Sequence, residues 1–206
     1  MKKAVLSVAL FALLQLPITL FVSPGNDTVS QMHREVVFWL LTAFILAYVL
    51  WSEGRPLSSI GLSKPGWRDA LIGLGTGGVI VAGMALLYLV ILPGLQSADA
   101  ASFGEVQAYP FWLRLEICVR AAVFEETLYR GFGIERLSEL LRSRWAAALI
   151  SLAVFTWRHL ENWGWMHLIV AGFGGLMLTA LYLWRRSLVA TMIAHFVTDA
   201  VGFLVA

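Results

Sequence analysis

The sequence predicts an all-α fold: a polytopic transmembrane helical bundle of about seven helices, six being the alternative, with a polar cavity between the later helices. Three observations carry this. The 206 residues are 59% hydrophobic and only 14% charged, against about 25% charged in an average soluble domain. The charges cluster between long apolar runs instead of interleaving with them. Lysine and arginine also concentrate in alternate loops. A transmembrane β-barrel needs alternating segments of about ten residues, and none dominate.

The first apolar segment, Ala4 to Val22, follows Lys2 and Lys3. It lacks a small-x-small cleavage site and reads as an uncleaved signal anchor. The second, Val36 to Trp51, and the fifth, Trp145 to Trp157, are short for a hydrocarbon core of about 30 Å, hence the six-span alternative. The third, Asp69 to Leu92, carries Gly73, Gly75, Gly77, Gly78 and Gly83, which permit close helix packing. The fourth runs from Phe111 to Ile134, the sixth from Gly164 to Trp184 and the seventh from Ser187 to Val205. The Gly/Pro/Ser-rich, basic stretch SEGRPLSSIGLSKPGWRD suits a cytoplasmic linker. The connection from Pro93 to Pro110, with Asp99 and Glu105 but no lysine or arginine, suits an external loop.

With the N-terminus in the cytoplasm, the inside holds Lys2, Lys3, Arg55, Lys64, Arg68, Arg136, Arg142, Arg144, Arg185 and Arg186, and the outside only Arg34 and Arg158. Ten against two is the positive-inside bias, with seven spans and an outward C-terminus. The single cysteine, Cys118, excludes an intramolecular disulfide. The expected partners are the lipid bilayer and a peptide or membrane-protein substrate, with no nucleic acid. Oligomeric state is not legible. Residues 1–110 read as N-terminal membrane helices and loops and 111–206 as a core, in one integral membrane unit.

Ionisable groups inside spans cost about 2.5–3.5 kcal/mol each on insertion scales and mark functional sites. The fourth segment, around FEETLYRG, carries Glu116, Arg120, Glu125, Glu126 and Arg130. Glu116/Arg120 and Glu126/Arg130 are each spaced i, i+4, so each pair can meet on one helix face and neutralise itself. Glu125 is turned by about 100° from Glu126 and has no basic residue at i±4. It must find a partner on another helix, face a water-filled cavity or stay protonated.

Two further i, i+4 pairs follow, Phe155 with His159 and His195 with Asp199. A lone histidine in an apolar helix is more often a packed, hydrogen-bonded residue. Three separate helices carrying such groups shift the balance toward one shared cavity. Glu125, His159 and His195 together supply what peptide-bond hydrolysis needs. A carboxylate in a low-dielectric pocket serves as general base. One imidazole holds the same water, and the second donates to the developing oxyanion. No serine or cysteine in these segments has an obvious base partner, which lowers the case for a covalent mechanism. Glu125, His159 and His195 form instead a possible zinc set, two His plus a Glu; the HExxH pattern is absent.

The three motifs, Glu125-Glu126-Thr-Leu-Tyr-Arg130, Phe155-Thr-Trp-Arg-His159 and His195-Phe-Val-Thr-Asp199, resemble in order and spacing the CPBP family of intramembrane proteases. That family includes type II CAAX-prenyl endopeptidases, bacteriocin-immunity (Abi) proteins and lysostaphin-resistance proteins. The resemblance covers Phe111 to the C-terminus. It implies a glutamate-dependent, metal-free endopeptidase, the older label being metalloprotease. Glu125 is then the general base, and His159 orients the attacking water. His195 and Asp199 line the oxyanion side, with Glu126, Arg130 and Phe155 in support. Asp199 stands where many members have Asn; it can donate when protonated, orient His195 or pair with an arginine. Cleavage is expected near the cytoplasmic side of a bacterial-type inner membrane.

Two other readings stay open. One is a non-catalytic immunity or scaffold protein whose polar groups serve assembly. The other is a transporter or proton relay, although no repeated halves are detected. Glu161 and His167, beside Trp163 and Trp165, read as interfacial anchors. Arg185 and Arg186 set topology, and His33 is assigned no role.

Overall fold

The computed structural model describes residues 2–17, 25, 27–91 and 103–205, without the side chains of 2, 161 and 162. Among them all regular structure is helical. The helices are α1 (Lys2–Leu13), α2 (Thr28–Ser52), α3 (Trp67–Ile91) and α4, which joins Phe111–Glu125, Glu126–Ile134 and Glu135–Leu141 end to end. After them come α5 (Arg144–Arg158), the single turn α6 (Leu160–Trp163), α7 (His167–Arg185) and α8 (Leu188–Val205).

Each of the seven apolar segments overlaps one of these helices. Of the first, residues 18–22 lie outside the described residues, and α1 ends at Leu13. The second is longer than its apolar run. α2 starts at Thr28 because the Asp27 carboxylate accepts hydrogen bonds from the Val29 and Ser30 amides, at 2.9 and 3.1 Å. Its polar first turns are therefore helical instead of forming a loop. Of the expected external loop, residues 93–102 lie outside the described residues and 103–107 are helical.

Four helices, α2, α3, α7 and α8, are long and apolar enough to cross a membrane. Their outward faces carry exposed Leu40, Phe44, Leu74, Val79, Leu89 and Val90, an apolar band that a water-soluble chain does not present. α1 and α5, at 12 and 15 residues, are shorter than the roughly 20 that span a bilayer. The chain is an integral membrane protein.

The helices alternate in direction. One end of the bundle gathers the starts of α1, α3 and α5 with the ends of α2, α4 and α7. There Lys3 donates to Glu53 O (3.3 Å), Arg136 to the Glu53 carboxylate (2.6 Å) and Arg185 to Asp69 (3.1 Å). Glu135 takes Arg186 (2.8 Å) and Arg144 (3.5 Å). Two tight corners sit at the same end. Arg142 and Arg186 adopt left-handed φ values of 54° and 50°. Each is followed by a serine that caps the next helix, Ser143 for α5 and Ser187 for α8. At the other end Arg114 donates to Phe203 O (2.9 Å), and Phe103 packs on Trp163. α4 runs through the middle, packed on α1, α2, α5 and α8.

α3 lies against α8 at a distance only glycine allows. A Cβ at Gly73 would sit 2.7 Å from Ala190 O, and one at Gly77 would sit 2.7 Å from Val197 Cβ. Gly83 faces the Phe173 ring. Gly75 and Gly78 depart from the packing expectation, because nothing lies within 4 Å of a Cβ at either. They occupy the outward face of the same helix. Gly73→Val and Gly77→Val should therefore destabilise the folded protein by about 1–3 kcal/mol through overpacking. Gly75→Ala and Gly78→Ala should be neutral or stabilising by up to about 1 kcal/mol. Thermal unfolding in detergent micelles separates the two pairs.

Candidate active site

The site is built around the point where α4 changes its winding. Phe111–Glu125 is α-helical and Glu126–Ile134 is π-helical, a wider coil frequent at functional sites that also ends α2, α3 and α8. Every residue of the π segment is buried. Two glycines let it sit there: a Cβ at Gly131 would lie 2.8 Å from Ile60 O, and one at Gly133 would lie 2.7 Å from the Phe11 ring.

Glu126 and Arg130 meet as their spacing predicts, Arg130 Nη1 donating to Glu126 Oε1 at 2.9 Å with both side chains essentially inaccessible. Arg130 Nη2 donates to Gly175 O at 3.0 Å, and its guanidinium lies 4.2 Å from the Phe155 ring centroid. A Cβ at Gly175 would touch Phe155 at 2.8 Å, so the bare backbone of α7 is what lets arginine, carbonyl and ring share this space. Phe155 thereby supports Arg130, and its ring stands 4.6 Å from His159 and 6.5 Å from His195. The three motifs come together around that ring.

The two histidines are held differently. His195 donates from Nδ1 to Glu126 Oε1 at 2.8 Å. Its Nε2 faces Asp199 Oδ2 at 3.5 Å and Glu125 Oε2 at 4.0 Å. His159 donates from Nδ1 to Phe155 O at 2.9 Å. A carbonyl only accepts, so in the neutral ring Nε2 carries the lone pair. Among the described residues His159 makes no hydrogen bond to Glu125; it shares the Phe155 ring instead. Asp199 lies beside His195, one of its expected roles, and pairs with no arginine among the described ion pairs.

The adjacent glutamates have opposite surroundings. Glu126 is engaged by Arg130 and His195 together. Glu125 is one-fifth exposed, and its buried Oε2 accepts no hydrogen bond among the described residues. Its nearest charges are His195 and Arg120, whose Nη1 is 3.9 Å from Glu125 Oε1.

The expected Glu116/Arg120 pair does not form. Arg120 turns to Glu35 on α2, a two-pronged contact in which Nε donates to Oε2 and Nη2 to Oε1 (3.0 Å). Its guanidinium rests 4.3 Å from the Phe38 ring centroid. Glu116 Oε1 instead accepts from Trp39 Nε1 at 2.7 Å. A cross-helix partner with bidentate geometry displaces a same-helix partner that offers only spacing. Glu35 was absent from the sequence candidates, because it precedes the apolar run of its segment. The signal for it was a stripe, Gln31, Glu35 and Phe38, behind an Asp27 helix cap.

His167 also departs from expectation. It is buried among protein side chains, with its ring near-parallel to Trp163 (4.7 Å) and to His159 (6.0 Å). The side chain of Glu161 lies outside the described residues. Among the described residues no three of His, Cys, Asp and Glu come together so as to hold a metal ion, so Glu125, His159 and His195 are not gathered as a ligand set. A groove between α5 and α7 at the basic end is lined by Arg144, Trp145 and Trp184 and by none of the motif residues.

No curated protein and no solved structure matches the chain. One family model does match, described as Type II CAAX prenyl endopeptidase Rce1-like, over residues 107–201. That segment holds all three motifs but neither Glu35 nor the rest of α2. Residues 107–201, a little under half of the chain, are thus similar to the Rce1-like, type II CAAX prenyl endopeptidase family.

Proposed function

We propose that the protein is an intramembrane endopeptidase that hydrolyses a peptide bond with a water activated by Glu125. The family is one of proteases, hence hydrolases. The observation that carries the finer reading is the contrast within one dipeptide: Glu126 is fully buried and ion-paired through Oε1 to Arg130 and His195, whereas Glu125 is one-fifth exposed, with Arg120 and His195 at 3.9 and 4.0 Å. A general base needs a carboxylate that water can reach and that no close ion pair ties down.

In this reading Glu125 takes the proton of the attacking water, and His159 Nε2 accepts its other hydrogen bond. The water oxygen bonds to the scissile carbonyl carbon, whose oxygen takes up the negative charge; the C–N bond then breaks as the carbonyl re-forms, and the proton held by Glu125 passes to the leaving amine. His195 is aimed by Glu126, and with both nitrogens protonated it donates Nε2–H to the oxyanion. Asp199 fixes the Nε2 edge of that ring. Glu126, Arg130 and Phe155 hold the frame. No step is routed through zinc.

The substrate class is a peptide or membrane-protein segment, prenylated or not. The lysine and arginine bias supports a cytoplasmic N-terminus in a bacterial-type inner membrane. Helix counting favours chemistry deeper than the cytoplasmic surface. At about 1.5 Å per residue, His195 and Glu125 lie roughly 12–16 Å along their helices from the basic end.

Glu125→Gln should lower kcat by about 10²–10⁴-fold, the usual weight of a general base, while membrane insertion and melting are unchanged. The full chain in nanodiscs is assayed with a mixture of internally quenched peptides, farnesylated and unmodified. Full activity in that variant would sink the mechanism, and the two peptide sets decide whether prenyl groups matter. Asp199→Asn keeps an acceptor oxygen against His195 and should stay close to parental activity. Asp199→Leu removes it and should lose on the order of 10²-fold in kcat, measured in the same assay.

A further inference from the structure

We infer that Arg120, braced by Glu35 of α2, is a positioning residue for Glu125, so that a helix outside the matched segment helps set the catalytic base. The inference rests on the role proposed for Glu125 and extends it to a residue pair that no motif includes.

Glu35 and Arg120 are both buried, and their contact uses both carboxylate oxygens and two guanidinium nitrogens. Gln31 Nε2 donates to Glu35 Oε1, and Gln31 Oε1 accepts from Arg34 Nε at 2.9 Å. Arg34 Nη1 in turn donates to Gly25 O at 2.6 Å. This line of hydrogen bonds fixes Glu35 from the outer end of α2, and Phe38 supports the guanidinium from below. Among the described residues, the hydrogen bonds of the Arg120 side chain therefore go to α2.

What remains for Glu125 is Nη1 at 3.9 Å from Oε1. That is inside the range where opposite charges attract strongly in a dry site and outside hydrogen-bond distance. The carboxylate is drawn toward Arg120 on its Oε1 side, while Oε2 stays unengaged on the His195 side. Glu35 thus does two things at once: it keeps Arg120 next to the base, and it keeps Arg120 from closing on it. Released from Glu35, the guanidinium has two carboxylates near it, Glu116 and Glu125, and closing on Glu125 would tie the base into an ion pair as Glu126 is tied.

The test separates positioning from simple stability. Replacing a whole buried ion pair by apolar side chains is often neutral or stabilising, so the double variant Glu35→Met/Arg120→Met should melt close to the parent. If Arg120 positions Glu125, that variant loses kcat by on the order of 10²-fold, the scale of a small misplacement, with KM unchanged. Glu35→Gln alone should also lose kcat at unchanged KM, because Arg120 then closes on Glu125. Arg120→Lys, which keeps the charge, should recover part of the double variant's loss. The probe is the quenched peptide that the parent cleaves, assayed on full chain in nanodiscs. A double variant as active as the parent, or a loss that only follows a lowered melting temperature, overturns the inference. Failure of the Glu125 mechanism is recognised separately, by an active Glu125→Gln in the parent background.

Discussion

The bundle depends on one constraint: a charge inside an apolar helix packing must meet its partner there. Two unit charges about 4 Å apart attract by roughly 4 kcal/mol at an effective dielectric of about 20, and by roughly 1 kcal/mol in water. Leaving one partner alone in the interior is strongly destabilising. α4 carries the ionisable groups, and nearly every one reaches a different neighbour. Arg120 goes to Glu35 of α2, Glu116 to Trp39 of α2, and Arg130 to Gly175 O of α7. Glu126 reaches His195 of α8, Arg136 reaches Glu53 at the end of α2, and Glu135 reaches Tyr182 and Arg186. These contacts are directional where Leu-on-Leu packing is not, so they fix which helix faces α4 and in what rotation. The apolar faces provide cohesion around an order the polar groups specify.

Glu125 is the exception to that rule, and the exception has a physical reading. Its neighbour in sequence shows how readily this helix can satisfy a carboxylate, with a guanidinium at 2.9 Å and an imidazole at 2.8 Å on the same oxygen. A carboxylate so held is ion-paired and shut away from water, although its Oε2 accepts no hydrogen bond among the described residues. Glu125, turned by about 100°, has its charges at 3.9 and 4.0 Å and one-fifth of its side chain exposed, which gives up close pairing in exchange for access. Local strain and under-satisfaction of this kind are expected where chemistry happens, and they persist because the surroundings hold them. The buried frame of Glu126, Arg130, Phe155 and Gly175 is that surrounding.

The helices and the three motifs were legible because their signals are local. Apolar runs mark segments, and i, i+4 spacing correctly joins Glu126 to Arg130. The same rule misjoined Glu116 to Arg120, since spacing names a possible partner and tertiary geometry chooses among them. Glu35 was hidden because its turn of helix precedes the apolar run, where a polar residue looks like loop until the Asp27 cap is recognised. His167 looked interfacial beside Trp163 and Trp165. Its burial follows from how the single turn of α6 folds α7 back onto α5, which no local pattern encodes. Likewise five glycines in α3 look equivalent in sequence, yet only the ones aimed at α8 and Phe173 are in close contact.

The division of labour between α2 and α4 also bears on what a family match over 107–201 can describe. That segment contains Arg120 and Glu125 but not Glu35, Gln31 or Phe38. Considered alone, it holds a buried guanidinium whose nearest carboxylates are Glu116 and Glu125, and electrostatics would drive Arg120 onto one of them. The state with Glu125 available therefore belongs to the assembled bundle and not to the motif-bearing helices by themselves. A relative that keeps all three motifs while changing the first turns of its second helix would need another acceptor for the residue at Arg120, or no cation there. In the proposed reading the motifs carry the chemistry, and the helix that precedes them keeps Arg120 from closing on Glu125.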